Sequence, residues 1–293
     1  MMNYYKVAGH TFGVKLPDGD PLCSQLAQYE PFISPAVPDP IFVLSLADSL
    51  DDEDGELVYS GEPQSGEPIV RLFSTPGGWI SEMAICPGRP LSAKLFMEKD
   101  FSAGKLLLLR PREALFSLNN ALMLLYAFRT SGMHTLEMHA SVIVNSGRAF
   151  LWLATSGTGK STHSSLWLKN VPGSKLLNDD NPIVRVMEDG HVEVFGSPWS
   201  GKTPCYKNEH YPVGAFTRIR RADHNAIARL NNFEAYAMIY SSSSGFKFDP
   251  KMGDDLHSTF EKVVGASPCF VLDCLPDADA ARVSSGTLLK LYE

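Results

Sequence analysis

The residues able to do chemistry gather in one stretch. Residues 148–169 read RAFLWLATSGTGKSTHSSLWLK. The apolar run Ala149 to Leu153 has the character of a buried strand, and the small residues Ala154 to Gly159 follow it. Lys160, Ser161 and Thr162 come next, then a helical segment with Leu166, Trp167 and Leu168 for packing. Strand, small-residue loop and helix form the context of a phosphate-binding P-loop. A phosphate chain needs several backbone N–H groups pointing into one concavity, which bulky side chains would block. Ser156, Gly157, Thr158 and Gly159 would supply that nest, the glycines giving unusual dihedrals and close approach. A helix beginning near Lys160 aims its N-terminal dipole at the phosphates. Lys160 would reach the β- and γ-phosphates and Ser161 would hold Mg²⁺ through its hydroxyl, with Thr162 completing the nucleotide-binding set. The first glycine of the usual G-x-x-x-x-G-K-[ST] (Walker A) pattern is Ala154 here.

A second stretch satisfies that pattern strictly and fails physically. Residues 196–203 read GSPWSGKT. Pro198 has no N–H to donate. Trp199 puts a large ring where backbone must approach a ligand, and Pro204 disturbs any strand-to-helix transition after Thr203. Lys202 is kept only as a candidate cation for a transferring phosphoryl group, together with Arg218, Arg220 and Arg221.

Phosphoryl transfer also needs carboxylates, one for the metal and one to orient or deprotonate the acceptor. Asp179 and Asp180 follow Lys160 by about twenty residues and stand at a strand edge. Adjacent acids can divide those roles. His139 sits within an expected strand and is a further candidate at the γ-phosphate or the acceptor.

The elements around these residues are short strands and a few helices. Residues 1–110 read as a β-rich region: Tyr4 to Val14, Pro40 to Leu46, Leu57 to Ser60, Ile69 to Phe73 and Trp79 to Ile85, with an exposed acidic loop at Asp48 to Glu56. A helix with Pro111 in its first turn and Leu115, Leu118, Leu122 and Leu125 at helical spacing opens a second domain, 111–293. Leu136 to Val144 reads as one strand. Ile183 to Val186 and Val192 to Phe195 form a hairpin through Asp189-Gly190. Gly214 to Ile219 and Cys269 to Leu275 are strands, Phe233 to Tyr240 and Leu256 to Val264 helices, and Ser241 to Gly245 a mobile polar surface loop.

Composition bounds the rest. The 293 residues carry a formal charge of −7 and 44% hydrophobic residues, as expected of a soluble globular protein. No basic tract appears, so nucleic acid is not expected as a partner. Five scattered cysteines without C-x-x-C argue for reduced thiols rather than disulfides or zinc. Met-Met-Asn-Tyr-Tyr-Lys lacks the apolar core of a secretory signal, and Ala121 to Phe128 is too short for a membrane span. A cytoplasmic location without membrane association is expected.

Four motifs in order, Met138-His139-Ala140-Ser141, Ala154 to Ser161, Leu177-Asn178-Asp179-Asp180 and Ser197-Pro198-Trp199-x-Gly201-Lys202, resemble the HPr kinase/phosphorylase-like family. That family shares a P-loop fold with phosphoenolpyruvate carboxykinases. The resemblance spans about residues 111 to 290. It implies an α/β fold: a mixed β-sheet P-loop core of the HPr kinase/phosphoenolpyruvate carboxykinase type, here behind a β-rich N-terminal region. It implies ATP and Mg²⁺ as cofactors, His139 and Lys202 at the active site, and an aspartate pair acting as base and metal ligand. By position in the motif, Asp179 falls to the acceptor and Asp180 to the metal. The expected activity is transfer of phosphate to a hydroxyl, a serine of a protein or peptide before a small metabolite, with a non-catalytic nucleotide-binding regulator as the other reading. A homo-oligomer is left open. The family's segment for recognising HPr itself is not found.

Overall fold

Alternating buried and open side chains along residues 2–108 build one sheet of eight strands. In this computed structural model the described residues are 1–51, 55–61, 68–201, 203–247 and 249–293. The strands are β1 (Met2–Val7), β2 (His10–Lys15), β3 (Val43–Ala47), β4 (Glu56–Ser60), β5 (Ile69–Ser74), β6 (Gly78–Ala84), β7 (Ala93–Glu98) and β8 (Ala103–Leu108). Their spatial order is β1-β2-β3-β8-β7-β6-β5-β4. β3 runs parallel to both neighbours. The Ala8-Gly9 turn joins β1 to β2 with φ of 48° and 84°, the two positive values of a type I′ hairpin. The acidic segment Asp48 to Glu56 lies partly outside the described residues.

The helix opened by Pro111 is α1 (Ala114–Arg129), preceded by a 3₁₀ turn over Pro111–Glu113. Leu118, Leu122 and Leu125 are buried on it. It packs on β7 and β8. A side chain at Gly104 in β8 would place its Cβ 2.7 Å from the Leu125 Cδ1. The two compact units are accordingly Met1–Arg129 and Thr130–Glu293. The helix that the sequence groups with the second domain packs with the first unit.

The second unit holds β9 (Thr135–Glu137), β10 (Ala140–Asn145), β11 (Arg148–Leu153), α2 (Lys160–Asn170), β12 (Lys175–Asp180), β13 (Ile183–Val186), β14 (Val192–Phe195), β15 (His210–Arg221), β16 (Ala226–Arg229), α3 (Asn232–Ser242), α4 (Pro250–Ala266), β17 (Cys269–Cys274) and α5 (Ala278–Leu288). Its nine-stranded mixed sheet runs β12-β10-β11-β15-β14-β13-β9, with β17 beside β15 and β16 beside β17. Alternate residues of the central strands feed two cores. Val142, Val144, Leu151 and Leu153 join Met238 of α3 and Phe260 of α4 on one face. Ile143, Phe150 and Trp152 join Trp167 of α2 and Ala280 of α5 on the other. Helices thus cover both faces, as a sheet with two apolar faces requires. The chain is an α/β protein with mixed sheets and a β-rich first unit. Among the described residues no helix is long and apolar enough to cross a membrane. All five cysteines are free of disulfides.

Two expectations fail at backbone level. Leu136 to Val144 is two strands, β9 and β10, interrupted at Met138-His139. The interruption is held from outside: Met138 N–H donates to Pro182 O at 3.0 Å and His139 N–H to Ser242 O at 2.7 Å. Ser241 to Gly245 is not a free surface loop. Ser241 and Ser242 close α3, Ser243 is buried, and Ser244 N–H donates to Glu137 O at 2.8 Å.

Candidate active site

The register of three strands brings the sequence motifs to one end of the sheet. β10 lies antiparallel to both β11 and β12, with Ala140 opposite Leu153 and also opposite Asp180. The start of β10, the exit of β11 into the P-loop and the end of β12 therefore coincide. The cavity there, of about 280 Å³, is lined by His139, Lys160, Asp179, Asp180 and Gly201, and by Ser156, Gly157, Gly159, Ser161 and Thr162 of the loop and first helical turn. Thr158 is fixed in the loop, its hydroxyl 2.7 Å from that of Thr155.

The glycine pattern of the loop follows from its dihedrals. Gly157 has φ of 74° and Gly159 φ of 132°, while the space around an added Cβ is open at both among the described residues. Conformation, not crowding, demands glycine there. Ala154 is not among the residues with positive φ, so the position of the missing glycine needs none. Its carbonyl accepts from Lys160 Nζ at 3.1 Å. The strict GSPWSGKT match, described except at position 202, takes another course. No helix follows it, and Trp199 is buried with its carbonyl accepting from Asn178 Nδ2 at 3.1 Å. Instead the segment braces β12: Gly201 N–H donates to Asp179 O at 2.7 Å and Ser200 Oγ to the same carbonyl at 3.0 Å. Lys202 lies outside the described residues.

The two aspartates point to opposite sides, as consecutive strand residues do. Asp179 pairs with Ser141, whose hydroxyl meets Ser164 of α2 at 2.6 Å. Asp179 thus shares the α2 face, and its Oδ1 accepts from Ser161 Oγ at 3.0 Å. Asp180 turns the other way, with Oδ1 2.9 Å from His139 Nε2. Its φ of 120° is rare for a non-glycine residue, a strain found where the surroundings over-determine the backbone. A Cβ at Gly201 would come within 2.8 Å of Asp180 Oδ2, so glycine there leaves room for the carboxylate. Burial works to raise the Asp180 carboxyl, but the His139 hydrogen bond, the His139 charge and the Lys160 charge together hold it below the ordinary carboxylate range.

His139 Nε2 also lies 2.8 Å from Lys160 Nζ. An ammonium only donates and a carboxylate only accepts. One ring nitrogen therefore bonds to Lys160 when bare or to Asp180 when protonated, not to both. His139, Lys160 and Asp180 form one exchangeable polar chain across the mouth of the loop.

Glu137, at the end of β9, is a group that sequence reading passes over. It is buried, and its Oε2 has no hydrogen-bond partner among the described residues. Burial, with the Asp180 charge adding to it, pushes its carboxyl up to about 8. The folded chain therefore keeps a proton that the unfolded chain releases from about pH 4.5 upward. Stability falls as pH rises across that window and levels off above pH 8, at most about 1.4 kcal/mol per pH unit. Glu137→Gln, neutral and of the same shape, should be more stable than the parent by a margin that grows from pH 5 to pH 8. Urea melts at pH 5, 6.5 and 8 measure it. An equal margin at all three would mean that Glu137 is ionised in the folded protein.

The arginines of β15 have partners of their own. Arg220 makes a bidentate pair with Asp273 at 2.7 and 2.8 Å. Arg218 donates to Ser241 Oγ at 3.0 Å. Arg221 donates to the carbonyls of Thr158, at 3.0 Å, and Gly157. Arg221 braces the P-loop from behind, a role that shows in the sequence only as a basic strand end. Gly201 carried a signal, but as part of a failed P-loop rather than as a spacer beside Asp180.

No group of three or more His, Cys, Asp or Glu side chains able to hold a metal occurs among the described residues. A Mg·nucleotide site does not need one. The hydroxyl of Ser161 and the carboxylate of Asp179 are oxygen donors suited to a hard cation that takes its remaining ligands from water and phosphate.

No protein-family model matches the chain, and no curated protein matches it. Among solved structures it is similar to the Hpr(Ser) kinase/phosphatase from Coxiella burnetii, at 11% identity and a TM-score of 0.33, covering 54% of this chain and 99% of that chain.

Proposed function

We propose that the second unit is an ATP- and Mg²⁺-dependent kinase of the HPr kinase-like type that phosphorylates a hydroxyl, a serine of a protein or peptide. The observation that carries this reading is the hydrogen bond from Ser161 of the P-loop to Asp179. In P-loop enzymes the loop hydroxyl and a strand-end aspartate hold the metal together. Ser161 and Asp179 would hold Mg²⁺, which on binding neutralises charge on the β- and γ-phosphates. The backbone of residues 156–159 and the α2 dipole would cradle the phosphates. Lys160 would leave Ala154 and His139 for phosphate oxygens. Asp180, held ionised and half-exposed beside His139, would orient the acceptor hydroxyl and take its proton. This order of the aspartates is the reverse of the one drawn from the resembling motif, and the Ser161–Asp179 bond is the reason. His139 would pass between Lys160 and Asp180 as the charge in the site changes.

The reading is tested with γ-labelled ATP, Mg²⁺ and a cell extract, followed by identification of the labelled product. Label on a seryl hydroxyl that depends on Asp180 supports it. Label on a small metabolite replaces the acceptor. Binding of ATP without transfer leaves the regulator reading in its place. Metal dependence gives a further check. Mg²⁺ should tighten ATP binding to the parent, and Ser161→Ala should cut that enhancement about tenfold, as loss of one ligand to a charged centre does. Equal ATP affinity with Mg²⁺ and with EDTA would remove Ser161 and Asp179 from the metal.

A further inference from the structure

The break between β9 and β10 places His139, and the segment that makes the break has a lock of its own. Residues 242–244 run antiparallel to residues 137–139. Ser242 O accepts from His139 N–H, Ser243 bridges Met138, and Ser244 N–H donates to Glu137 O. Ser242 is the last residue of α3. A carbonyl that the helix leaves unpaired at its end therefore goes to the His139 amide.

Lys247 folds back onto this strap. Its Nζ donates to Ser243 O at 2.7 Å and to Tyr240 O, and it stands 4.4 Å from the centre of the Tyr240 ring. Tyr240 O also accepts from Ser243 Oγ at 3.2 Å. The turn that returns Lys247 passes through Gly245, at φ of 142°, where an added Cβ would come within 2.8 Å of Leu256 Cδ1 in α4. A cation suits the negative end of a helix. This one is half-buried, its acceptors are carbonyls and a ring face rather than a carboxylate, and burial pulls its amine down to about 8. It is still an ammonium at pH 7, with its donors on the two carbonyls. A cap at the surface carries no such burial cost; a strap that must keep one geometry explains it.

We propose that Lys247 is a positioning residue for His139: by locking the strap 242–244 it fixes the His139 main chain where Nε2 reaches Lys160 Nζ or Asp180 Oδ1. Those contacts, of 2.8 and 2.9 Å, have little slack, and a backbone shift of about 1 Å would break either. The placement of His139 stands on the hydrogen bonds alone; its effect on turnover rests on the proposed kinase reading.

NMR spectra of the full chain, paired with the transfer assay, test it. In the native protein at pH 6 the Lys247 ammonium protons should give a slowly exchanging signal, as a hydrogen-bonded ammonium does and a solvated one does not. Its absence overturns the lock with no variant needed. Lys247→Met keeps the length and the apolar stem and loses the donors. It should move the amide proton resonances of His139 and Ser244 upfield, as their hydrogen bonds lengthen, and leave those of Gly157 and Gly159 in place. Its turnover should fall by about 10–10²-fold, the cost of about 1 Å of misplacement, with Mg·ATP affinity within about twofold of the parent. Lys247→Arg, which still donates, should recover the turnover. A helix cap and nothing more would leave the His139 and Ser244 resonances unmoved and would not divide turnover from affinity. A folded Lys247→Met protein with those two resonances unmoved overturns the proposal, as does one that turns over like the parent. If the parent itself transfers no phosphate, the kinase reading fails while the resonances still decide the lock.

Discussion

Lys160→Ala should weaken Mg·ATP binding by about 10²–10³-fold, measured by calorimetry, with the fold intact. Lys160 is only 7% exposed, yet its ammonium rests on exchangeable partners, the Ala154 carbonyl and a histidine nitrogen. Phosphate oxygens would replace both with charge-assisted bonds of about 1.5–3 kcal/mol each. Losing two such bonds costs about 3–4 kcal/mol after partial replacement by water, which is the stated factor. Alanine also removes a buried charge instead of stranding one, so the fold should survive. Lys202→Ala, in the segment that matches the Walker A pattern strictly, should keep measurable affinity. The reverse ranking would move the nucleotide site to GSPWSGKT and undo the proposed function.

The parts of this site that were legible in the sequence are the local ones. An apolar strand, small residues with two glycines, Lys-Ser-Thr and a helix specify each other over about twenty positions, and the structure forms β11, the loop and α2 in that order. Ala154 is legible only afterwards, once its φ shows that the position tolerates a side chain. The break at Met138-His139 was hidden, because residues 136–144 alternate well enough for one strand. What interrupts them is hydrogen bonding to Pro182 and Ser242, far along the chain. Helix α5 gives little periodic signal because its buried face is made of small residues, Ala280, Ala281 and Ser284, with Leu288 alone as a large anchor. The placement of α1 shows the limit of periodicity. Its leucine stripe announces a core-facing helix without saying which sheet supplies the core. That the aspartates face apart was readable from strand geometry. Which of them faces α2 required the pairing of Ser141 with Asp179.

The aspartate pair carries the other large effect. Asp180→Asn should retain Mg·ATP affinity and lose turnover by about 10²–10⁴-fold, the range for removal of a general base. Asp179→Asn should lose both affinity for Mg·ATP and turnover, because it breaks the oxygen pair with Ser161. Asparagine keeps the shape and removes the charge in each case. At position 180 it is also among the residues that best tolerate positive φ, so the backbone at 120° is not disturbed further. Pairing calorimetry with γ-phosphate transfer in the extract assay separates the roles at Asp180, where a structural defect would move both readouts, and an unchanged urea melt of Asp179→Asn separates metal loss from misfolding there. The pH profile adds an independent sign. Asp180 is held below the ordinary carboxylate range, so its ionised form, and with it the parent's activity, should persist on acidification past the point where a free aspartate is half-protonated. If Asp179→Asn keeps full Mg·ATP affinity while Asp180→Asn loses it, the metal belongs to Asp180 and the order drawn from the motif is restored. If both variants bind and turn over like the parent, the pair has no part in the chemistry and the kinase reading falls.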